Sequence, residues 1–440
     1  MTEKGNWVLS RLEAAGFEAY YVGGCVRDRL MGMEPHDYDI TTSALPEEVE
    51  TVFADCRLIE TGLQHGTVTL VLDGEPFELT TFRVETTYSD HRHPDAVRFT
   101  RTLRDDLSRR DFTMNAIAMD RSGALADPFH GEEDIAAGMI RCVGDPMLRF
   151  EEDALRILRA LRFSAVLGFS IEAKTREAIF AKKALLSHVS HERIFAELNK
   201  MLCGANAGSI LQDYFDVITA VLPELAPMKG FDQRNYHHIY DVLEHTARVV
   251  DAVPQEKALR WAALFHDAGK PAVFSVDENG VGHFYGHADV SRGLAASALH
   301  RLRCDNAAIA MADLLIRYHD TPIECTPKAV RRALGKLTPE GFLALMQLKR
   351  ADNLAQSPEF RSRQKEIDAL AQLAEQIQAE AQCFRLKDLA INGHDLLALG
   401  YLPGRKLGTT LQSLFDAVLN DSLPNDRETL LEAAKREMDQ

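Results

Sequence analysis

Strand signals in this 440-residue chain are confined to its first 130 or so positions. There "EAYYVGG", "DYDITTS", "RLIETG", "GTVTLVLDG" and "PFELTTFRV" are rich in Thr, Val and Phe with period-two alternation, the pattern of half-buried strands. "LVLDGEPFEL" predicts a hairpin turning at Asp73-Gly74. Beyond about Gly131 only helical periodicity in Ala, Leu, Arg and Glu is visible. The expected fold class is therefore α+β: a head with a small mixed sheet and helices, followed by all-α neck, body and tail. Seams are expected near "DPFHG" (127–131), "MLCGANAGS" (201–209) and "KGFDQRN" (229–235).

Composition narrows the class. With 46% apolar and 26% charged residues the chain has ordinary globular content, and its net charge of −16 weighs against a generic nucleic-acid coat. Seven cysteines without C-x-x-C spacing argue against a disulfide framework or zinc ribbon. No apolar run reaches membrane-spanning length and no leader pattern opens the chain, so a cytoplasmic protein with no membrane partner is expected.

"VGGCVRDRLMGMEPHDYDI" (22–40) carries the first chemistry. A strand ending in glycines and entering a helix exposes backbone N–H groups and lets a phosphate approach Gly24 without a Cβ in the way. Arg27 adds a charged fork. Asp37 and Asp39, at i and i+2 on an expected strand, would share a face and could hold magnesium ions against a triphosphate. Glu78 in "PFELTTFR" is the candidate third carboxylate, since Phe77 and Leu79 point the other way. Arg109 and Arg110 in "SRRDFTMNAIAMD" could clamp phosphates.

"FEEDALRILRALRF" spaces Asp153, Arg156, Arg159 and Arg162 three apart, along one drifting helical stripe opposite Leu155, Ile157, Leu158 and Leu161. Read alone, it is an amphipathic surface helix. Cytosine and adenine, however, both present an amino donor beside a ring-nitrogen acceptor. An Asp that accepts and an Arg that donates, held side by side, complement that edge and mismatch guanine and uracil.

Five segments, "GGCVRDRLMGMEPHDYD", "RRDFTMNAIAMD", "DPFHG", "EEDALRILRALRF" and "HERIFAELNKML", together resemble the ordered motif set of class II tRNA nucleotidyltransferases, the bacterial CCA-adding enzymes and their poly(A) polymerase relatives. "LAINGHDLLALGYLPGRKLG" resembles the tRNA-binding tail of the Gram-positive type. The resemblance implies Asp37, Asp39 and Glu78 as catalytic carboxylates with Mg²⁺, and Gly24, Arg27 and Arg110 as nucleotide contacts. It makes Asp153, Arg156, Arg159 and Arg162 a nucleotide-reading helix, and "DPFHG" a hinge. The implied activity is template-independent addition of CCA to the 3′ end of tRNA from CTP and ATP, with tRNA as the RNA partner and no DNA partner. The implied division is a head at 1–140, a neck at 141–205, a body at 206–370 and a tail at 371–440. The segment "VETTYSDHRHPDAVRF" (84–99) matches the family's flexible loop, which CC-only enzymes lack. An A-only enzyme would keep the same motifs, and a poly(A) polymerase usually has a basic C-terminal extension that "NDRETLLEAAKREMDQ" is not. Oligomeric state is left open.

A second constellation comprises His245, His266, Asp267, His287, His319 and Asp352. Imidazole with carboxylate suits manganese, iron, nickel or magnesium. The set resembles an HD domain over about 237–355, a metal-dependent phosphohydrolase fold. That likeness implies His245, His266, Asp267 and Asp352 as core ligands, His287 and His319 as ligands of a second metal, and Mn²⁺, Ni²⁺ or another divalent ion as cofactor. Lys270 could contact a phosphate. The rival reading is an HD phosphohydrolase whose head merely binds nucleotide.

Overall fold

The computed structural model describes residues 1–35, 37–62, 66–85, 97–380 and 382–438. The segment 84–99 singled out above lies mostly outside these residues. Contacts divide the chain into two units, Met1–Pro223 and Glu224–Gln440.

The first unit is built on a seven-stranded mixed sheet. Its strands are β1 (Ala19–Val22), β2 (Asp39–Thr42), β3 (Arg57–Gly62), β4 (Thr67–Leu72) and β5 (Glu75–Thr81), with β8 (Ala118–Met119) and β9 (Leu125–Ala126) at one edge. A separate antiparallel ribbon pairs β6 (Arg83–Glu85) with β7 (Val97–Phe99). The sheet order is β3-β4-β5-β2-β1-β8-β9, and β2 with β5 is its parallel pair. β4 and β5 form the expected hairpin, turned by Asp73 (φ 48) and Gly74 (φ 83), the left-handed pair a two-residue hairpin requires.

Alternation sorts the two faces. Ile40, Leu70, Phe77 and Leu79 pack with Val8, Leu9 and Leu12 of the helix Glu3–Ala14 into one core. Asp39, Thr41 and Glu78 lie out of phase with these apolar residues and so leave the opposite face. Fully buried Asp106, on the helix Leu103–Ser108, accepts from Thr41 Oγ1 at 3.1 Å and from Arg109 Nε at 2.9 Å. The helices Pro146–Glu152 and Leu155–Leu167 follow, and His191–Leu202 packs along the latter.

One expectation needs correction. Strand structure does not end at Gly131: Met139–Ile140 pairs with Ser170–Ile171, and Ser275–Val276 with Gly282–His283. Pairs of two residues are too short to leave a periodic signature. "DPFHG" leads into the helix Gly131–Ala136. Asp127 accepts from the N–H groups of Gly131 and Glu132 at 2.8 Å each, while His130 takes a left-handed conformation (φ 59).

The second unit is helical apart from one short ribbon. Val242–Ala252, Lys257–Phe265, His287–Arg301, Asn306–Tyr318 and Pro339–Leu354 form its body. A separate core of Leu396, Tyr401, Leu414, Leu430 and Ala434 closes the C-terminal segment. Among the described residues no helix is long and apolar enough to cross a membrane.

Candidate active site and metal centre

In the head, β1 ends at Val22 and turns at Gly23, whose φ of 78 only glycine adopts without strain. A Cβ there would lie 3.2 Å from Arg110 Nη1 and 3.6 Å from Asp39 Oδ2. Gly23 is therefore the residue that gives the backbone its opening onto the site, whereas Gly24, singled out from sequence, is the first residue of the helix Gly24–Leu30.

Asp39 and Glu78 are Cα partners across the parallel β2–β5 pair. Asp37 is not on the strand as expected. β1 has turned away at Gly23 and the residue of β5 in register with position 37 is Pro76, which has no N–H to donate, so Asp37 occupies an exposed bend. It still acts on the site: burial raises the Asp39 carboxyl above its ordinary value, Glu78 and Asp37 add repulsion, and Arg110 opposes them. Among the described residues the three do not gather their oxygens into a ligand set, but their mutual repulsion at Asp39 is what a divalent cation there would relieve.

Arg110 Nη2 reaches Asp106 Oδ2 at 3.5 Å, while its buried Nε has no hydrogen-bond partner among the described residues. Arg27 is buried, donating to Asn115 Oδ1 at 2.8 Å and to Asp28 Oδ1 at 2.6 Å.

Asp153 does not ride on the reading helix, contrary to expectation. It occupies the break between Pro146–Glu152 and Leu155–Leu167 in an extended conformation and accepts from Leu155 N at 3.1 Å. Asp competes for backbone donors and so favours helix starts over interiors. Its side chain pairs with Arg193, Nη2 to Oδ2 at 2.7 Å. Arg156 is buried, bound to Glu152 Oε2 at 2.5 Å and to the carbonyl of Arg109 at 2.9 Å. Arg159 Nε donates to Asp111 Oδ2 at 2.7 Å, and Arg162 Nε lies 3.2 Å from Glu197 Oε2. Phe163, missed in the sequence, has Arg27, Arg159 and Arg162 around its ring at 5.1, 5.5 and 4.1 Å. Its place beside the apolar positions of an amphipathic helix concealed it as core.

In the second unit Asp267 is the hub of a buried cluster. Oδ2 lies 3.4 Å from His245 Nε2 and 3.2 Å from His266 Nε2. Oδ1 lies 3.4 Å from His287 Nε2 and 3.6 Å from His319 Nε2. Asp352 Oδ1 is 3.0 Å from His245 Nε2. All six residues singled out from sequence therefore converge. Each imidazole has Nδ1 against a backbone carbonyl: His245 with Ala355 at 3.4 Å, His266 with Ala263 at 2.8 Å, His287 with Phe284 at 2.9 Å and His319 with Ile316 at 2.7 Å. An Nδ1–H donated to each carbonyl leaves four Nε2 lone pairs aimed inward, as metal ligands require. Two sets of three ligands result, His245–His266–Asp267 and Asp267–His287–His319, sharing one carboxylate. Burial alone would raise the Asp267 carboxyl, but the surrounding His266 and Lys270 hold it well below its ordinary range.

The cluster opens into a cavity of about 550 Å³ lined also by His238, Lys270, Tyr285, Arg317 and Arg363. Lys270 Nζ is 2.7 Å from Asp267 Oδ2. Burial, with Lys270 beside it, pushes His238 down to about 3, so it stays neutral at physiological pH. His238, Arg317 and Arg363 were missed in the sequence, having no spacing relation to the ligands.

The sheet, the carboxylates leaving one face of it and the helices behind it define a nucleotidyltransferase head joined to helical domains. Residues 19–141 match the poly A polymerase head domain, 168–229 the RNA- and SrmB-binding region of polymerase A, 235–357 the HD domain, and 341–434 the second domain of tRNA nucleotidyltransferases. The chain is 35% identical to the CCA-adding enzyme of Lactobacillus helveticus, over 96% of this chain and 94% of that one. It is 36% identical to that of Limosilactobacillus fermentum, over 98% and 96%. The crystal structure of the Bacillus stearothermophilus CCA-adding enzyme in complex with CTP superposes with a TM-score of 0.74 at 30% identity, covering 100% of this chain and 98% of that one. The Thermotoga maritima CCA-adding enzyme complexed with tRNA shares the fold, with a TM-score of 0.59 at 20% identity over 100% and 96%. The chain belongs to the CCA-adding enzymes, the tRNA nucleotidyltransferases.

Proposed function

We propose that this protein adds the complete CCA sequence to the 3′ end of tRNA from CTP and ATP, without a nucleic-acid template. The observation that carries this reading is the pairing of Asp39 with Glu78 on one face of the sheet, beside Arg110 and the Gly23 turn, with Asp37 acting electrostatically on Asp39. The 3′-hydroxyl oxygen bonds to the α-phosphorus, the bond to the β-phosphate oxygen breaks, the hydroxyl proton is lost, and pyrophosphate leaves. Mg²⁺ held by Asp37, Asp39 and Glu78 would acidify that hydroxyl and neutralise the leaving phosphates. Gly23 and Gly24 leave room for the triphosphate, and Arg110, whose Nη1 lies beside the Gly23 turn, would contact it. Asp153 accepts from the base's amino group and Arg156 donates to its ring nitrogen, while Arg159, Arg162 and Arg27 brace the helix around Phe163.

The four segments 1–140, 141–205, 206–370 and 371–440 would serve as catalytic head, base-reading neck, body and tRNA-binding tail of a cytoplasmic enzyme. A tRNA transcript lacking its 3′ end, offered CTP and ATP separately and together, tests this. Extension by CCA only with both nucleotides supports it; addition of A alone, to a transcript already ending in CC, selects an A-only enzyme.

The inward-facing imidazoles favour a second activity, metal-dependent phosphohydrolysis in the HD domain. His245, His266, Asp267 and Asp352 would hold one Mn²⁺, Ni²⁺ or similar ion, and His287 and His319 a second, with Lys270 near the phosphate. Hydrolysis of 2′,3′-cAMP and p-nitrophenyl phosphate, by wild type and Asp267→Ala, tests it; no metal-dependent turnover leaves the domain a scaffold.

A further inference from the structure

The carboxylate assigned to read the base is already occupied. Asp153 Oδ2 accepts Arg193 Nη2 at 2.7 Å, and Oδ1 is 3.4 Å from Nη1 while also accepting Leu155 N at 3.1 Å. A carboxylate offers about four lone-pair positions, so this fork and one backbone donor leave little for a ligand. Arg193 projects from the helix His191–Leu202, on a different element from the base readers. The two side chains are 28% and 18% exposed, so the pair stands at the edge of water, where partners can exchange.

A guanidinium presents N–H donors to both Asp153 oxygens. The exocyclic amino group of cytosine or adenine must donate to one of those same oxygens, so guanidinium and base compete for it. Arg156 is likewise engaged by Glu152 and backbone carbonyls, so the reader without a base is internally satisfied.

We propose that Arg193 is a specificity-setting positioning residue that holds Asp153 until a base carrying the matching donor displaces it; the inference rests on the reading of Asp153 as base selector. Its consequence is a threshold. Cytosine and adenine replace the fork with an amino donor at Asp153 and gain an acceptor contact with Arg156. Uracil and guanine turn an acceptor toward Asp153 and cannot displace a cation from it. Discrimination thus includes a repulsive element built into the protein, as well as the attraction of the matching edge.

The test is steady-state kinetics on primer tRNA with each of the four nucleotides, for Arg193→Gln, Arg193→Lys, Asp153→Ala and the double variant Asp153→Ala/Arg193→Gln. Arg193→Gln is expected to lower KM for CTP and ATP by roughly five-fold with kcat nearly unchanged, as loss of a weak exposed ion pair would allow. It should also raise UTP and GTP use relative to CTP and ATP. Arg193→Lys should restore discrimination, and in the Asp153→Ala background Arg193→Gln should leave KM unmoved. A KM that rises or stays constant in Arg193→Gln, or a kcat that falls with it, overturns the proposal and makes Arg193 a structural prop. If Asp153→Ala keeps normal base choice, the underlying reading of Asp153 fails; if it blurs base choice while Arg193→Gln does nothing, only the competition fails.

Discussion

Asp39 and Glu78 stand opposite each other on neighbouring parallel strands, so both carboxylates leave the sheet on the same face. With Asp37 close enough to raise the Asp39 carboxyl, the three form one electrostatic unit. Replacing Asp39 by Asn or Asp37 by Ala should cut incorporation of C and A alike, by about 10²–10³-fold or more. Primer extension read separately for each nucleotide checks this; a loss confined to one nucleotide would contradict it.

Asp153→Ala should behave differently, keeping turnover while blurring base choice. Loss of a side-chain contact to a base edge is worth about 1–3 kcal/mol of discrimination. Competition between CTP and UTP on one primer measures the effect.

Asp111 ties the head to the reading helix through Arg159. Burial alone would raise its carboxyl, but Arg159 and the Asn115 amide outweigh that and bring it down to about 2. A folded-state value below the unfolded one contributes stability that is complete above about pH 4 and lost as pH falls toward 2. The contribution at neutral pH is about 2 kcal/mol. Asp111→Asn should be less stable than wild type at pH 7, and the difference should shrink between pH 4 and 2, as chemical denaturation across pH would show.

Gly131 has no space for a side chain. A Cβ would clash with the carbonyl oxygen of Thr113 and approach Ile117 Cγ1 at 2.8 Å. Gly131→Ala should cost about 1–3 kcal/mol through forced backbone movement, seen as a lower denaturation midpoint.

The HD cluster should respond to metal directly. Mn²⁺ at a hundred times its dissociation constant should stabilise the fold by about 2.7 kcal/mol. Thermal unfolding with and without chelator measures this, and Asp267→Ala should abolish the shift.

Much of this was legible in the chain. The Asp73-Gly74 hairpin follows from local turn chemistry, and the six HD residues from residue type and order. The parallel register that brings Glu78 to Asp39 was readable only as alternation, because alternation fixes a face and leaves the neighbour open. Arg193 lay in the motif "HERIFAELNKML" without a role of its own, because its meaning lies in a carboxylate at a helix break elsewhere in the chain. Asp153 was misplaced because a three-residue spacing reads as continuous helix even where the aspartate interrupts it. Gly23 and Gly24 could not be ranked until the backbone angle at Gly23 was seen.

The parallel pairing of β2 with β5 also bears on how activity appears during synthesis. β3, β4 and the helix Pro46–Val52 lie between those strands in the chain. A non-local pairing of this kind forms only after the intervening loop entropy has been overcome. A nascent chain that has emerged only as far as Thr42 carries two of the three carboxylates and no assembled site. On the proposed reading of these carboxylates, catalysis would have to await the pairing of β5 with β2.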